Sequence, residues 1–209
     1  MVLDVEREFS LKEQEAFAAI SGDYNPIHLD HLVARRTAYG HVLVHGCHIA
    51  LWALDVWIKS KRFNIRLNKF KCIFHAPLRI DEKAILTLVE KNNEVAMSVC
   101  DSRRNTLASI KVEWVLNSER YITTGAPEQF LQEAPDRIGN DMLANYSGEC
   151  HLTYNRKHLD DLLPNLVTYL ANYQISQILA ISRMVGMKCP GHNSLLSRIS
   201  LLLCAKNSI

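Results

Sequence analysis

The 209-residue chain holds no C-x-x-C pair; its six cysteines, Cys47, Cys72, Cys100, Cys150, Cys189 and Cys204, are scattered. That excludes the spacing of a structural zinc clip and the framework of a small disulfide-stapled domain, and it points to a reducing compartment. Neither a G-x-G-x-x-G fingerprint nor a P-loop is present, so nothing signals a dinucleotide or a nucleoside triphosphate. No run reaches the roughly 18 to 20 apolar residues of a membrane-spanning helix. Arg183 and Lys188 interrupt the longest candidate, and no apolar leader precedes the first helical pattern, so a cytoplasmic protein that does not engage a membrane is expected. Charge of one sign is also missing. With 24 basic against 22 acidic residues, the net charge of +2 leaves no footprint for nucleic acid. The local cluster Lys59-Ser60-Lys61-Arg62 reads as a solvated helix end. What the chain does have is a 48% hydrophobic composition, enough for a substantial core.

The apolar pattern predicts helix first and sheet afterwards. Val2 to Phe9 alternates as an edge strand. Ser10-Leu11-Lys12-Glu13 is a capping box, and Ala16, Phe17 and Ile20 form a narrow stripe before Gly22 stops the helix. Asp30 caps a second short helix through His31 to Thr37, closed by Gly40. Cys47 to Lys59 is apolar almost all round, the mark of a buried helix. Four strand-like segments follow: Leu67 to Ala76, Ala84 to Lys91, Glu94 to Cys100 and Thr106 to Leu116, with turns at Asn92-Asn93 and Asp101 to Asn105. This order predicts an α+β unit over residues 1 to 116. Residues 117 to 141, with Gly125, Pro127, Pro135 and Gly139, are expected to be a linker. In residues 142 to 209 the pattern predicts one long helix from Leu162 to Met184, a breaker at Met187 to Gly191, and a strand from Leu195 to Cys204. An unpaired strand at Leu201-Leu202-Leu203 would be an aggregation hazard, so pairing with another subunit or with the first sheet is expected.

Functional chemistry concentrates in Ser21-Gly22-Asp23-Tyr24-Asn25-Pro26-Ile27-His28. Gly22 suits the left-handed position that ends a helix, and Pro26 pushes Asn25 out of helical geometry, so the segment is a stiff connector. A carboxylate and an imidazole five residues apart on such a connector can hydrogen-bond one water as a general acid/base pair. The bland alternative has Asp23 capping a turn and His28 satisfying a buried carbonyl. Asn25 and Pro26 read as loop support, Tyr24 and Ile27 as packing.

The pattern Phe17-x-x-Ile20-Ser21-Gly22-Asp23-x-Asn25-Pro26-x-His28, with Ala34 beyond it, resembles the hydratase-2 motif of the MaoC-like (R)-specific enoyl-CoA hydratases and dehydratases. The resemblance covers residues 1 to 116. It implies a hot-dog fold, an antiparallel sheet wrapped around a buried central helix, and it assigns the catalytic dyad to Asp23 and His28. Val44-His45-Gly46 resembles the family as well, which gives the Gly46 N–H the part of oxyanion hole at a helix N-terminus; close packing is the other reason for a glycine there. Val185-Gly186-Met187-x-Cys189-Pro190-Gly191 resembles the second half of some double hot-dog relatives, so the C-terminal part is expected to be a second, partial hot-dog-like unit. One position departs: Leu54 stands where the family commonly has a serine near the dyad.

The function implied is interconversion of trans-2-enoyl and (R)-3-hydroxyacyl thioesters, carried on coenzyme A or an acyl carrier protein, with no cofactor and no metal. A homodimer is implied for the assembly. The competing readings are a non-catalytic acyl-thioester binding or scaffold subunit, and a hot-dog thioesterase. His41, His45 and His48 have helical spacing for a metal site, but Gly40 and Gly46 interrupt it. Arg35, Arg36, Lys59, Lys61 and Arg62 are candidates to meet the carrier's phosphates, and acyl-chain length is expected to depend on a pocket beside Trp52, Trp57 and the second unit.

Overall fold

The computed structural model describes residues 3–117, 130, 132–138, 142, 147–155, 158–192 and 194–203. Strand β1 (Leu3–Glu8) leads into helix α1 (Leu11–Ser21), which opens with the expected capping box: Glu13 N–H donates to Ser10 Oγ at 3.3 Å and Ser10 N–H to Glu13 Oε2 at 2.7 Å. Gly22 ends the helix at φ 75°, the left-handed cap. After a 3-10 turn at Pro26–His28, Asp30 caps the short helix α2 (His31–Ala34). Helix α3 (Gly46–Lys59) follows, and eleven of its residues are buried. A helix this apolar can be stable only inside other structure.

That structure is an antiparallel sheet. Strands β3 (Lys83–Lys91), β4 (Glu94–Cys100) and β5 (Thr106–Leu116) form a meander, and β2 (Ile65–Phe74), which precedes them in the chain, pairs with β5 rather than with β3; with β1 and the later β6 (Arg198–Leu202) the order is β1-β3-β4-β5-β2-β6. Phe70, Cys72, Val95, Met97, Val99, Ile110 and Val112 turn inward to the same core as Leu51, Leu54 and Ile58 of α3. A hot-dog fold results, as the family resemblance implied.

The C-terminal half differs from expectation in its helix. The pattern from Leu162 to Met184 is not one helix but three: α4 (Leu159–Leu162), α5 (Pro164–Tyr169) and α6 (Asn172–Arg183), followed by a π-helical turn at Met184–Lys188. Pro164 has no N–H to give and is accepted only at the first turn of a new helix, so Leu163 leaves helical geometry at φ −142°, ψ 61°. Helix α5 gains its start from α3: Asp55 accepts from the N–H groups of Asn165 and Leu166 at 2.8 and 2.9 Å and from Asn165 Nδ2 at 2.8 Å. Asp55→Ala removes the acceptor of these donors, of which the Leu166 N–H is buried, and an equilibrium denaturation series is expected to show a loss of about 2 kcal/mol.

Strand β6 pairs with the first sheet, antiparallel to β2 from Lys69↔Leu202 to Ile73↔Arg198. Cys204 and most of the expected linker lie outside the described residues. Gln174 of α6 also grips β2. Its carboxamide accepts from Leu67 N–H at 3.0 Å and donates to Leu67 O at 2.7 Å, where the β2–β5 register shifts. Each half therefore runs helix, then strand, as α3–β2 and α6–β6, and the two strands meet antiparallel. No helix among the described residues is long and apolar enough to cross a membrane.

Candidate active site

The connector after α1 is stiff because it is bonded to itself. Asp23 N–H donates to Ser21 Oγ at 3.1 Å, Asn25 N–H to Asp23 Oδ1 at 3.3 Å, and Ile27 N–H to Asn25 Oδ1 at 3.4 Å, with Pro26 opening the 3-10 turn. Asp23 and His28 are both buried, and one ligand-type atom of each lies, with one of His45, within 4.8 Å of the others. An arrangement this compact lets carboxylate and imidazole reach one small polar group between them. His28 Nδ1 lies 2.9 Å from Leu43 O. A carbonyl can only accept, so Nδ1 carries the proton and Nε2 keeps its lone pair. Burial pulls the His28 pKa down against the opposing charge of Asp23, and burial pushes the Asp23 carboxyl up against His28, Ser182 and the Asn25 N–H.

The dyad lines a cavity of about 300 Å³. Gly46 is in its wall at the first turn of α3, and its N–H has no protein partner among the described residues. A Cβ at Gly46 would stand 3.1 Å from Phe74 Cε1, so the close-packing reason for glycine applies too. Val44, Ile49, Phe74 and Leu78 make the apolar wall on one side. The far side belongs to the C-terminal half.

Several residues of that half touch the Ser21–His28 loop, among them Ser182, Gly186 and Gly191, and sequence reading gave none of them a part beside Asp23. Ser182 Oγ donates to Asp23 Oδ2 at 2.6 Å. Gly186, in the π-helical turn, faces the same carboxylate so closely that a Cβ there would fall 2.6 Å from Asp23 Cγ and nearer still to Oδ1. Its carbonyl accepts from Asn25 Nδ2 at 3.1 Å, and Gly191 O accepts from the same amide at 3.2 Å. Extra residues that open a helical turn into a pocket are a common device at functional sites. The only sequence signal was the Val185 to Gly191 motif, which carried a family likeness but no partner.

Leu54 is fully buried in the core and does not line the cavity; the hydroxyl at the dyad comes from Ser182 instead. Trp52 and Trp57 are likewise not in the cavity wall: Trp52 packs on Phe9 and Trp57 on Trp114. The histidine trio does not gather either. His41 is exposed, while His45 and His48 contact Gln14. None of the basic candidates lines the cavity, and Lys61 is committed to Glu90 and to the face of Trp114.

Burial depresses the pKa of His28 and takes those of His45 and His48 well below the ordinary value. A depressed imidazole contributes stability that is complete above the unfolded value near 6.5 and is lost as pH falls toward the folded value. Below pH 6.5 the unfolded chain takes up protons that these three folded-state imidazoles refuse. The unfolding free energy measured from pH 7.5 downward is therefore expected to fall below 6.5, by up to about 1.4 kcal/mol per pH unit for each of His45 and His48 and by less for His28, whose shift is smaller.

A family model described as "MaoC like domain" matches residues 2–110. The chain belongs to the MaoC-like dehydratase family. As a MaoC-like chain it is 31% identical over 135 residues to a 3-hydroxybutyryl-CoA dehydratase from Methylorubrum extorquens, which covers 60% of this chain and 79% of that one. A shorter match, 46% identical over 44 residues, reaches the (R)-specific enoyl-CoA hydratase of Aeromonas caviae and covers 21% of this chain and 33% of that one. A solved structure of a MaoC-like dehydratase aligns over 98% of this chain and 82% of its own at a TM-score of 0.59 and 11% identity, so the likeness of fold extends through the C-terminal half.

Proposed function

We propose that the protein hydrates trans-2-enoyl thioesters and dehydrates (R)-3-hydroxyacyl thioesters, with Asp23 and His28 as the acid/base pair. The observation that carries this reading is the pairing of a buried carboxylate with an imidazole whose Nδ1 is held by Leu43 O, both opening into one cavity beside the Gly46 N–H at the start of α3. In the forward direction Asp23 and His28 Nε2 hold one water. The water oxygen bonds to C3, electron density moves through C2 to the thioester oxygen, and C2 takes a proton. Across the step the water supplies the OH at C3 and the hydrogen balance at C2, so no outside oxidant or reductant enters. The Gly46 N–H, at the positive end of α3, meets the thioester oxygen as it gains enolate charge. Asn25 and Pro26 keep the loop in shape.

The names of the relatives support a coenzyme A thioester, and an acyl carrier protein thioester is the other form the same chemistry admits. Residues 1–116 form the unit that carries the loop, 117–141 link it to residues 142–209, and the latter act as a partial second unit that closes the cavity. The protein is proposed to work in the cytoplasm as a homodimer.

The reaction is tested by incubating the protein with trans-2-butenoyl-CoA in D₂O and resolving the products by chiral chromatography and mass spectrometry. (R)-3-hydroxybutyryl-CoA with one deuterium at C2 is expected. Saturable binding without product, across short and medium chains on both carriers, would instead make the protein an acyl-thioester binding subunit.

A further inference from the structure

Behind the dyad lies a second polar cluster that the proposed reaction does not use. Gln14, fully buried on α1, points its carboxamide at the start of α3. Its Oε1 accepts from the backbone N–H of His45 at 3.1 Å and lies 3.0 Å from His45 Nδ1; its Nε2 donates to His48 Nδ1 at 3.2 Å. Across the ring, His45 Nε2 lies 3.0 Å from Asp23 O. Burial keeps His45 neutral, so it has one ring proton. Oε1 is already served by the backbone N–H, whereas no other bond to Asp23 O is seen among the described residues, so the proton belongs on Nε2, donating to Asp23 O. The same ring stacks on His28 with centroids 3.9 Å apart.

We propose that the Gln14–His45 pair is a positioning device that locks the catalytic loop to the N-terminus of α3, so that Asp23, His28 and the Gly46 N–H keep one mutual geometry. This inference rests on the hydratase reading. Gln14 fixes residue 45, residue 45 fixes the backbone of Asp23 and backs the ring of His28, and Gly46 is the next residue along. The pair touches no reacting atom, and neither member lines the cavity. A misplacement of about 1 Å between acid/base pair and oxyanion donor costs on the order of a hundredfold in rate, which is the scale on which such a lock matters. The charged and titratable groups around His45 are Asp23 and His28 on the loop and His48 on α3, with Arg7 of β1 acting on His48.

The test is a double-mutant cycle with Gln14→Met, His45→Phe and the pair, on folded protein checked by circular dichroism. Both replacements are close in volume, and phenylalanine keeps a ring against His28. Each single variant is expected to lose tenfold to a hundredfold in kcat with KM within about twofold, and the double variant to lose less than the product of the two, because Gln14 holds the backbone of the residue whose ring holds the loop. An unchanged kcat, a change confined to KM, or losses that simply multiply would overturn the proposal. NMR titration of His28 in Gln14→Met gives a readout apart from turnover: loosening the wall behind a buried imidazole is expected to raise its pKa toward the ordinary value. Should the parent turn over no enoyl thioester, the hydratase reading falls and this titration alone decides, a rise sustaining the lock and an unmoved His28 overturning it.

Discussion

Gly186→Ala is expected to lower kcat a hundredfold or more while leaving the protein folded. The added methyl would sit 2.6 Å from Asp23 Cγ, well inside van der Waals contact, and the carboxylate cannot retreat without breaking its bonds to Ser182 Oγ and Asn25 N–H. Overpacking of this kind costs about 1 to 3 kcal/mol in stability. The larger effect is expected on rate, because the group displaced is the one proposed to hold the water, and an ångström of displacement costs about a hundredfold. Steady-state kinetics beside a thermal melt separates the two: a modest drop in melting temperature with a collapse in kcat is expected. Near-parental kcat would mean that Asp23 does not act from the position it occupies against the π-helical turn.

The second large effect belongs to Ser182→Ala. Its hydroxyl reaches a buried carboxylate at 2.6 Å, and a hydrogen bond to a charged group in such a site is worth about 1.5 to 3 kcal/mol, or roughly tenfold to a hundredfold in rate. The sign of the accompanying pH effect is fixed. Burial raises the Asp23 pKa and the Ser182 bond lowers it, so removing the hydroxyl lets the pKa rise further. Activity that depends on the carboxylate form then fails at a higher pH, and the acid limb of the kcat/KM profile moves up. A loss of rate with an unmoved acid limb would assign Ser182 a packing role only.

These two positions also mark where the site stopped being legible in the sequence. Local chemistry was readable because its partners are close along the chain. Ser10 and Glu13 cap α1, Gly22 turns at φ 75°, and Asp30 caps α2 through the N–H groups of Leu32 and Val33. The bounds of β4 and β5 follow from alternation and from turn residues such as Asn92 at φ 55°. Ser182 and Gly186 lie about 160 residues from Asp23 in sequence, and a serine on an amphipathic helix carries no mark of the carboxylate it will meet. Leu54 reads as a lost hydroxyl because one half of the chain does not show what the other brings to the dyad; the fold supplies the group as Ser182.

Two other departures have plain causes. Pro164 divides an apolar run that reads as continuous helix by composition, since hydrophobic periodicity does not register a missing N–H. Trp52 and Trp57 suggest a pocket because they lie on the buried helix, yet α3 is covered on several sides, and these two rings face Phe9 and Trp114 rather than the cavity. Gln14 was silent for a related reason: a single glutamine in an apolar stripe declares a partner only once the helix N-terminus it faces is in place.

The most direct measurement is the rate of hydration of a short trans-2-enoyl-CoA, followed by loss of the conjugated enoyl absorbance, in the parent, Asp23→Asn and His28→Ala. Asparagine keeps the size of the side chain and removes the carboxylate, and alanine removes the imidazole that Leu43 O orients. Positioned acid/base groups contribute about a hundredfold to ten-thousandfold, so turnover in the parent and a fall of at least a hundredfold in each variant is the predicted result. Equal rates in the parent and either variant would contradict the account, because the loop would then hold a dyad that performs no chemistry.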